Sequence, residues 1–166
     1  IRCVPQELID EDTNSLESSE LTAQVTVTQP DPPVVLPTLA LSCTQAHIRS
    51  GDGVDLTLTL SKNSGIAALV LNVNYDQAVL QYTGSNALST ESGIAMVNDG
   101  TDGTVRLVYA GGVLPAETVL LILHFRANTE KPVETAVTLA VESTLAEDGT
   151  VLQTESAGKT LAIHAV

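Results

Sequence analysis

From Leu39 onward the sequence repeats one pattern, short runs rich in Val, Leu and Thr separated by clusters of Gly, Asn, Asp and Ser. Side chains alternate across a strand, so apolar and polar residues that take turns along a run describe a ribbon with one buried and one wet face. Nine such runs follow one another, at 39–44, 54–60, 66–75, 80–84, 94–98, 104–110, 118–127, 135–143 and 160–166. Ser50-Gly51-Asp52-Gly53 and Asn98-Asp99-Gly100-Thr101-Asp102-Gly103 are turn punctuation, because these residue types accept the backbone conformations of tight reversals. Helical periodicity is confined to a turn near Pro115-Ala116-Glu117. Short strands at this spacing predict an all-β fold, a nine-stranded β-sandwich.

The core of such a sandwich has to be aliphatic. Trp is absent, and the aromatic residues are Tyr75, Tyr82, Tyr109 and Phe125. Hydrophobic residues still make up 43% of 166, enough for one packed domain. In the second run Val54, Leu56, Leu58 and Leu60 face one way, with Asp55, Thr57 and Thr59 opposite. The third run sets Leu69, Leu71, Val73 and Tyr75 inward and leaves Ile66, Ala68, Val70, Asn72 and Asn74 outward. The sixth does the same with Val105, Leu107 and Tyr109 against Arg106, Val108 and Ala110. In the eighth, Val137, Leu139 and Val141 oppose Ala136, Thr138, Ala140 and Glu142. Three runs thus turn short, often apolar side chains toward solvent. A contiguous exposed apolar patch marks a partner surface, whereas single exposed apolar residues are ordinary; the pattern alone admits both. In the seventh run Val119, Leu121, Leu123 and Phe125 form the core set, and Leu120 and Ile122 oppose it. That second apolar set is either covered by the N-terminal segment or buried on both faces.

Residues 1–38 differ. They carry Glu7, Asp10, Glu11, Asp12, Glu17, Glu20 and Asp31 against Arg2, and end among Pro30, Pro32, Pro33 and Pro37. The expectation is an acidic, extended tether ahead of a domain at 39–166. Within it Leu21, Ala23, Val25 and Val27 alternate with Thr and Gln, a strand pattern that fits a sheet edge or, in the reading preferred here, an extended linker. Ile1 opens with no signal-peptide or lipidation pattern, as expected of a piece of a larger protein. Cys3 and Cys43 are the only cysteines; one disulfide and two independent thiols are both open.

Charge narrows the partners. The net charge is -13, with seven Lys and Arg, none adjacent. Gripping a phosphate backbone needs clustered cations, so nucleic acid is excluded, and attraction to an anionic membrane surface with it. No apolar run approaches the roughly 20 residues that span a bilayer.

The phrase Leu71-Asn-Val-Asn-Tyr75-Asp76-Gln-Ala-Val-Leu80 resembles the signature of cohesin modules, in which a strand ends in Tyr-Asp and a Leu follows four residues after the Asp. Gly51-Asp52-Gly53-Val54 is similar to the family's entry into its second strand, and Val105-Arg-Leu-Val-Tyr-Ala110 to its sixth. The resemblance spans 39–166. It implies jelly-roll topology and a non-catalytic function: docking of dockerins, small calcium-loaded helical modules, through the sheet of strands 8, 3, 6 and 5. By position it places docking contacts on Ala68 and Val70 of the third strand, on Val108, Ala110 and Gly111 of the sixth, and near Leu145 after the eighth. Asn72, Asn74, Arg106, Ala140 and Glu142 would surround them as a rim. The best-known class of the family has polar hydrogen-bonding residues where Ala68 and Val70 stand, so the resemblance implies a more apolar docking mode. It further implies an extracellular scaffold setting, a monomer when free, and no cofactor on this chain, the calcium belonging to the dockerin.

Catalytic patterns are weak. His47, His124 and His164 are scattered, and the last two fall opposite core residues as solvated sheet positions. Tyr75-Asp76 reads as a core Tyr and a turn-forming Asp. The loop at 98–103 lacks the alternating ligands and closing Glu of a calcium loop, and Glu147-Asp148-Gly149 reads as a turn. Two other functions compete with docking. A carbohydrate-binding module needs exposed rings, and only Tyr82 is left to supply one. A structural or adhesin-type spacer needs no site, and has no reason to keep an apolar outer face.

Overall fold

The computed structural model describes residues 35–88 and 93–164. Among them are eleven strands: β1 (Thr38–Cys43), β2 (Ile48–Arg49), β3 (Gly53–Ser61), β4 (Ile66–Asn74), β5 (Leu80–Ala87), β6 (Gly93–Thr101), β7 (Thr104–Gly111), β8 (Thr118–Ala127), β9 (Val133–Ala146), β10 (Glu155–Ala157) and β11 (Lys159–His164). Nine coincide with the nine runs. The additional two, β2 and β10, are two and three residues long, too short to show a period. The tether reading of 1–34, the alternation at Leu21–Val27 and any part played by Cys3 lie outside the described residues. The compact unit begins at Val35, Pro37 is buried, and Cys43 is a free thiol.

The strands form two sheets, a five-stranded one in the order β10-β1-β3-β8-β5 and a six-stranded one in the order β2-β11-β9-β4-β7-β6. This is a β-sandwich with jelly-roll topology. The inward sides are those the alternation gave. Val54, Leu56, Leu58 and Leu60 of β3 and Leu69, Leu71 and Val73 of β4 have no exposed surface. Val105, Leu107, Tyr109, Leu121, Leu123, Phe125, Val137, Leu161 and Ile163 complete the seam, and Leu139 and Val141 are half-buried against it. Phe125 serves as the aromatic hub, with the Tyr75 and Tyr82 rings edge-on to it at centroid distances of 5.0 and 5.8 Å.

Two face assignments made from the alternation are corrected by bulges, where one strand carries an extra residue and the side-chain phase shifts. Between Leu58 and Thr59 of β3, the β8 partner jumps from Leu121 to Val119. Leu120 therefore turns into the core at 1% exposure, while Val119 is left 46% exposed. In β4 the register shifts between Ile66 and Ala68, so Ile66 is fully buried and does not belong to the outer face.

Two contacts at the strand ends are decisive for stability. Gly158 lies between β10 in one sheet and β11 in the other, and a Cβ there would meet the carbonyl oxygen of Val137 and stand 3.1 Å from the Cα of Thr138. Tyr75 closes β4, its N–H donating to the Gly103 carbonyl at 2.9 Å. Asp76 is the turn residue that follows: its Oδ1 accepts from the Ala78 N–H at 2.8 Å and its carbonyl from the Leu80 N–H at 2.8 Å. Burial, and secondarily the carboxylates of Asp102 and Asp99, hold the Tyr75 hydroxyl above the ordinary value of 10.0, against a backbone hydrogen bond to Gly103 that lowers it.

Gly158→Ala is expected to cost about 2 kcal/mol or more, because the obstacle is backbone that cannot turn aside; urea unfolding measures it. The raised Tyr75 value has a definite sign. The unfolded chain releases this proton first, so the contribution of the protonated hydroxyl is complete below pH 10 and is lost as pH rises through the folded value. Stability should therefore fall above about pH 10, and fall less steeply in Tyr75→Phe; unfolding midpoints between pH 8 and 11 decide this.

Candidate functional site

Pairing register converts the outer side of β6, β7, β4 and β9 into rows of side chains. At one end, Leu145, Ala68, Ala110 and Ile94 stand abreast on β9, β4, β7 and β6, and Val151 extends the row by a bridge to Leu145. The next row is Ser143, Val70, Val108 and Met96. Beyond it come Ala140, Asn72, Arg106 and Asn98, then Thr138, Asn74 and Thr104, with Thr101 opposite Thr104. The face is thus polarised along the strands. Two rows at one end are apolar, and two at the other end are polar.

The apolar end is open to water. Ile94, Met96 and Val151 are 70%, 66% and 73% exposed, Ala110 is exposed, and Ala68, Val70, Val108 and Leu145 are half-buried by their neighbours. Gly111 ends β7 opposite Gly93 of β6. A sheet facing solvent ordinarily carries polar residues on its wet side, and the other sheet does so. Its outer side presents Ser42 of β1, Asp55, Thr57, Thr59 and Ser61 of β3, Asn86 of β5, and His124 and Arg126 of β8, with Val119 and Ile122 among them.

The polar end is internally tied. A second shift in β9, between its pairings to Val70 and Leu71, makes room for Glu142. One Glu142 oxygen accepts from Asn72 Nδ2 at 2.7 Å and the other from an Arg106 guanidinium nitrogen at 2.6 Å. Thr104 Oγ1 donates to Asn74 Oδ1 at 3.0 Å. Asn72, Asn74, Asn98, Thr101, Thr104 and Arg106 line a shallow polar depression there. Arg106 is the single cation on these four strands, against Asp99, Glu134 and Glu142, so the face is acidic once Arg106 is engaged by Glu142.

The residues expected from sequence on this face, Ala68, Val70, Asn72, Asn74, Arg106, Val108, Ala110, Ala140 and Glu142, do lie together on it. Leu145 is also there, but inside β9, which runs three residues past the expected end to Ala146. Ile94, Met96 and Val151 were not assigned by the sequence reading. The alternation of Ile94, Met96 and Asn98 with Ala95 and Val97 was visible, yet it offers two apolar sides, and the larger residues face outward because they pair with Ala110 and Val108 on the outer side of β7.

Other marked residues occupy structural places. His124 Nδ1 lies 2.8 Å from Asp55 Oδ1, and Nε2 lies 3.0 Å from Asn86 Nδ2, tying β8 to β3 and β5. The His47 and His164 rings lie 6.3 Å apart at the β2–β11 edge. All three Tyr rings, Tyr82 included, pack against the core. Among the described residues, no three His, Cys, Asp or Glu side chains cluster as a metal site.

Comparison with known proteins agrees with this architecture. Sequence search against curated proteins finds no significant relative. Among solved structures, a non-cellulosomal cohesin from the archaeon Archaeoglobus fulgidus superposes with a TM-score of 0.64 at 14% identity, over 79% of this chain and 93% of that one. The sixth cohesin of scaffoldin B from Acetivibrio cellulolyticus, solved in complex with a dockerin, gives 0.64 at 17% identity over 80% and 100%. A cohesin module from a family 33 glycoside hydrolase of Clostridium perfringens gives 0.66 at 11% over 80% and 100%. The model of the cohesin domain matches residues 39–163, well over half of the chain, and the chain therefore belongs to the cohesin domain family.

Proposed function

We propose that this chain is a non-catalytic docking module that binds a calcium-loaded dockerin through the outer face of β9, β4, β7 and β6. Ala68, Val70, Val108, Ala110, Gly111 and Leu145 make the apolar centre, with Ile94 and Met96 completing it. Asn72, Asn74, Arg106, Ala140 and Glu142 form the polar flank. The acidic segment ahead of Val35 serves as a tether to a larger extracellular scaffold, and the free module is a monomer that carries no cofactor.

One observation carries this reading: the six-stranded sheet keeps two exposed apolar rows, while the five-stranded sheet is predominantly polar outside. Exposed apolar surface costs free energy in water, and a spacer gains nothing from it. A carbohydrate platform would need a free ring, and Tyr82 packs on Phe125 at 5.8 Å. Kinship supports the same partner, since the Acetivibrio cellulolyticus relative was solved with a dockerin bound. Mechanically, a preformed sheet gives up little conformational freedom on binding. A standard interface of about 1,600 Å² in total is within reach of four strands.

Calorimetric titration with a panel of dockerins, in calcium and then with chelator, tests the proposal. The expected result is tight one-to-one binding that disappears on chelation. Val70→Asp and Ala110→Arg should each weaken binding about a hundredfold or more and shift stability by less than about 1 kcal/mol, because both side chains point away from the seam. Absence of binding across the panel would favour the spacer. Unfolding of both variants would show that the outer face is misassigned.

A further inference from the structure

The apolar rows contain the chain's only methionine. Met96 is the single Met among 166 residues. It projects from edge strand β6 beside Val108, and it is 66% exposed. Most of its surface thus faces solvent in the free chain, on the face that the proposed docking uses. Thioether sulfur is oxidised readily where it is accessible, and the product changes an adaptable apolar side chain into a polar, chiral one.

We infer that Met96 is an oxidation site that switches docking off, an inference that rests on the docking face proposed above. The reaction needs only a peroxide. The sulfur lone pair attacks one peroxide oxygen and the O–O bond breaks. One oxygen stays on sulfur as the sulfoxide and the other leaves as water, the sulfur being oxidised by two electrons and the peroxide reduced by two. Nothing in the fold opposes the change. Met96 lies outside the aliphatic seam, so the sulfoxide dipole is solvated and the sandwich keeps its stability. The cost appears only on docking, when a partner has to strip water from the sulfoxide oxygen without returning a hydrogen bond. The switch acts on the free chain, and a docked partner that covers β6 shields it.

The position is selective. Cys43, the other oxidisable side chain among the described residues, stands on β1 in the opposite sheet. A loss of docking caused by Cys43 would therefore persist in a Met96 variant, and one caused by Met96 would not.

The test treats the full chain with hydrogen peroxide until intact mass shows one added oxygen, with peptide mapping to place it. Binding to the dockerin that titrates most tightly is then measured before and after, for the native chain and for Met96→Leu. The expected results are oxidation at Met96, at least about tenfold weaker binding by the oxidised native chain, unchanged binding by treated Met96→Leu, and slower oxidation of Met96 in the preformed complex. Equal binding before and after oxidation of Met96 overturns the switch and leaves the docking face standing. Equal loss in treated Met96→Leu assigns the effect to another side chain and also overturns it. If the untreated chain binds no dockerin, the docking reading fails first and the inference falls with it. Thermal unfolding of the oxidised chain should match the native midpoint, which separates a lost contact from a lost fold.

Discussion

The packing of Leu69, Leu71 and Val73 against the opposite sheet is what the rest of this molecule depends on. These residues of β4 have no exposed surface, and β4 is bonded to β9 on one side and β7 on the other. A slip of one residue would move all three from the seam to water and drive Val70, Asn72 and Asn74 inward. Burying the two asparagines without partners would add a further penalty of a few kcal/mol. Register is thus held by the core, although its visible product is on the outside. Once β4 is fixed, its pairings with β7 and β9 set Ala68 beside Ala110 and Leu145, and Val70 beside Val108 and Ser143. The proposed docking face is the reverse side of a packing solution, so its shape is set before any partner arrives.

Three irregularities refine that solution, and two of them place residues that strict alternation would misplace. The shift at Ile66 buries a side chain at the strand entrance, where the Ile66 carbonyl accepts from the Leu114 N–H at 2.9 Å. The shift at Leu120 gives the core an extra Leu and pays with a half-exposed Val119. At the shift in β9, Glu142 reaches both Asn72 and Arg106. Arg106 and Glu142 are 45% and 40% exposed in their side chains, so solvent screens their attraction and the pair adds little to stability. Its effect is geometric: the carboxylate and the guanidinium hold each other in place at the border between apolar and polar rows.

Most of the fold was legible in the sequence because a half-buried strand writes its burial at a period of two. Val54, Leu56, Leu58 and Leu60 could be assigned with no other information, and so could the outward places of Val70, Val108 and Ala140. What could not be read falls into three physical kinds. β2 and β10 are too short to have a period. The bulges change phase without a residue signature, since neither Ile66-Ala67 nor Val119-Leu120 contains a Gly or Pro to announce them. The outward turn of Ile94 and Met96 depends on their pairing with Ala110 and Val108 of β7, and register between strands is a property that no local window contains.

The edge position of β6 raises a difficulty that its composition answers. An edge strand carries unpaired backbone donors and acceptors, and exposed apolar residues beside them invite pairing with another copy. In β6 the pairing with β7 breaks register between Asn98 and Thr101, which leaves only a short regular stretch to copy. Asp99 sits in that break, and Gly100 beside it is a poor strand former. The chain as a whole carries a net charge of -13, and the one cation on the four strands, Arg106, is engaged by Glu142. Two copies that approach face to face therefore meet like charge around an apolar centre, whereas a partner that rims its own apolar centre with Lys or Arg meets the opposite sign. Repulsion between like faces suppresses self-association, and attraction between unlike ones speeds encounter. The same acidity that excludes nucleic acid lets the module keep Ile94, Met96 and Val151 in water until a complementary surface covers them.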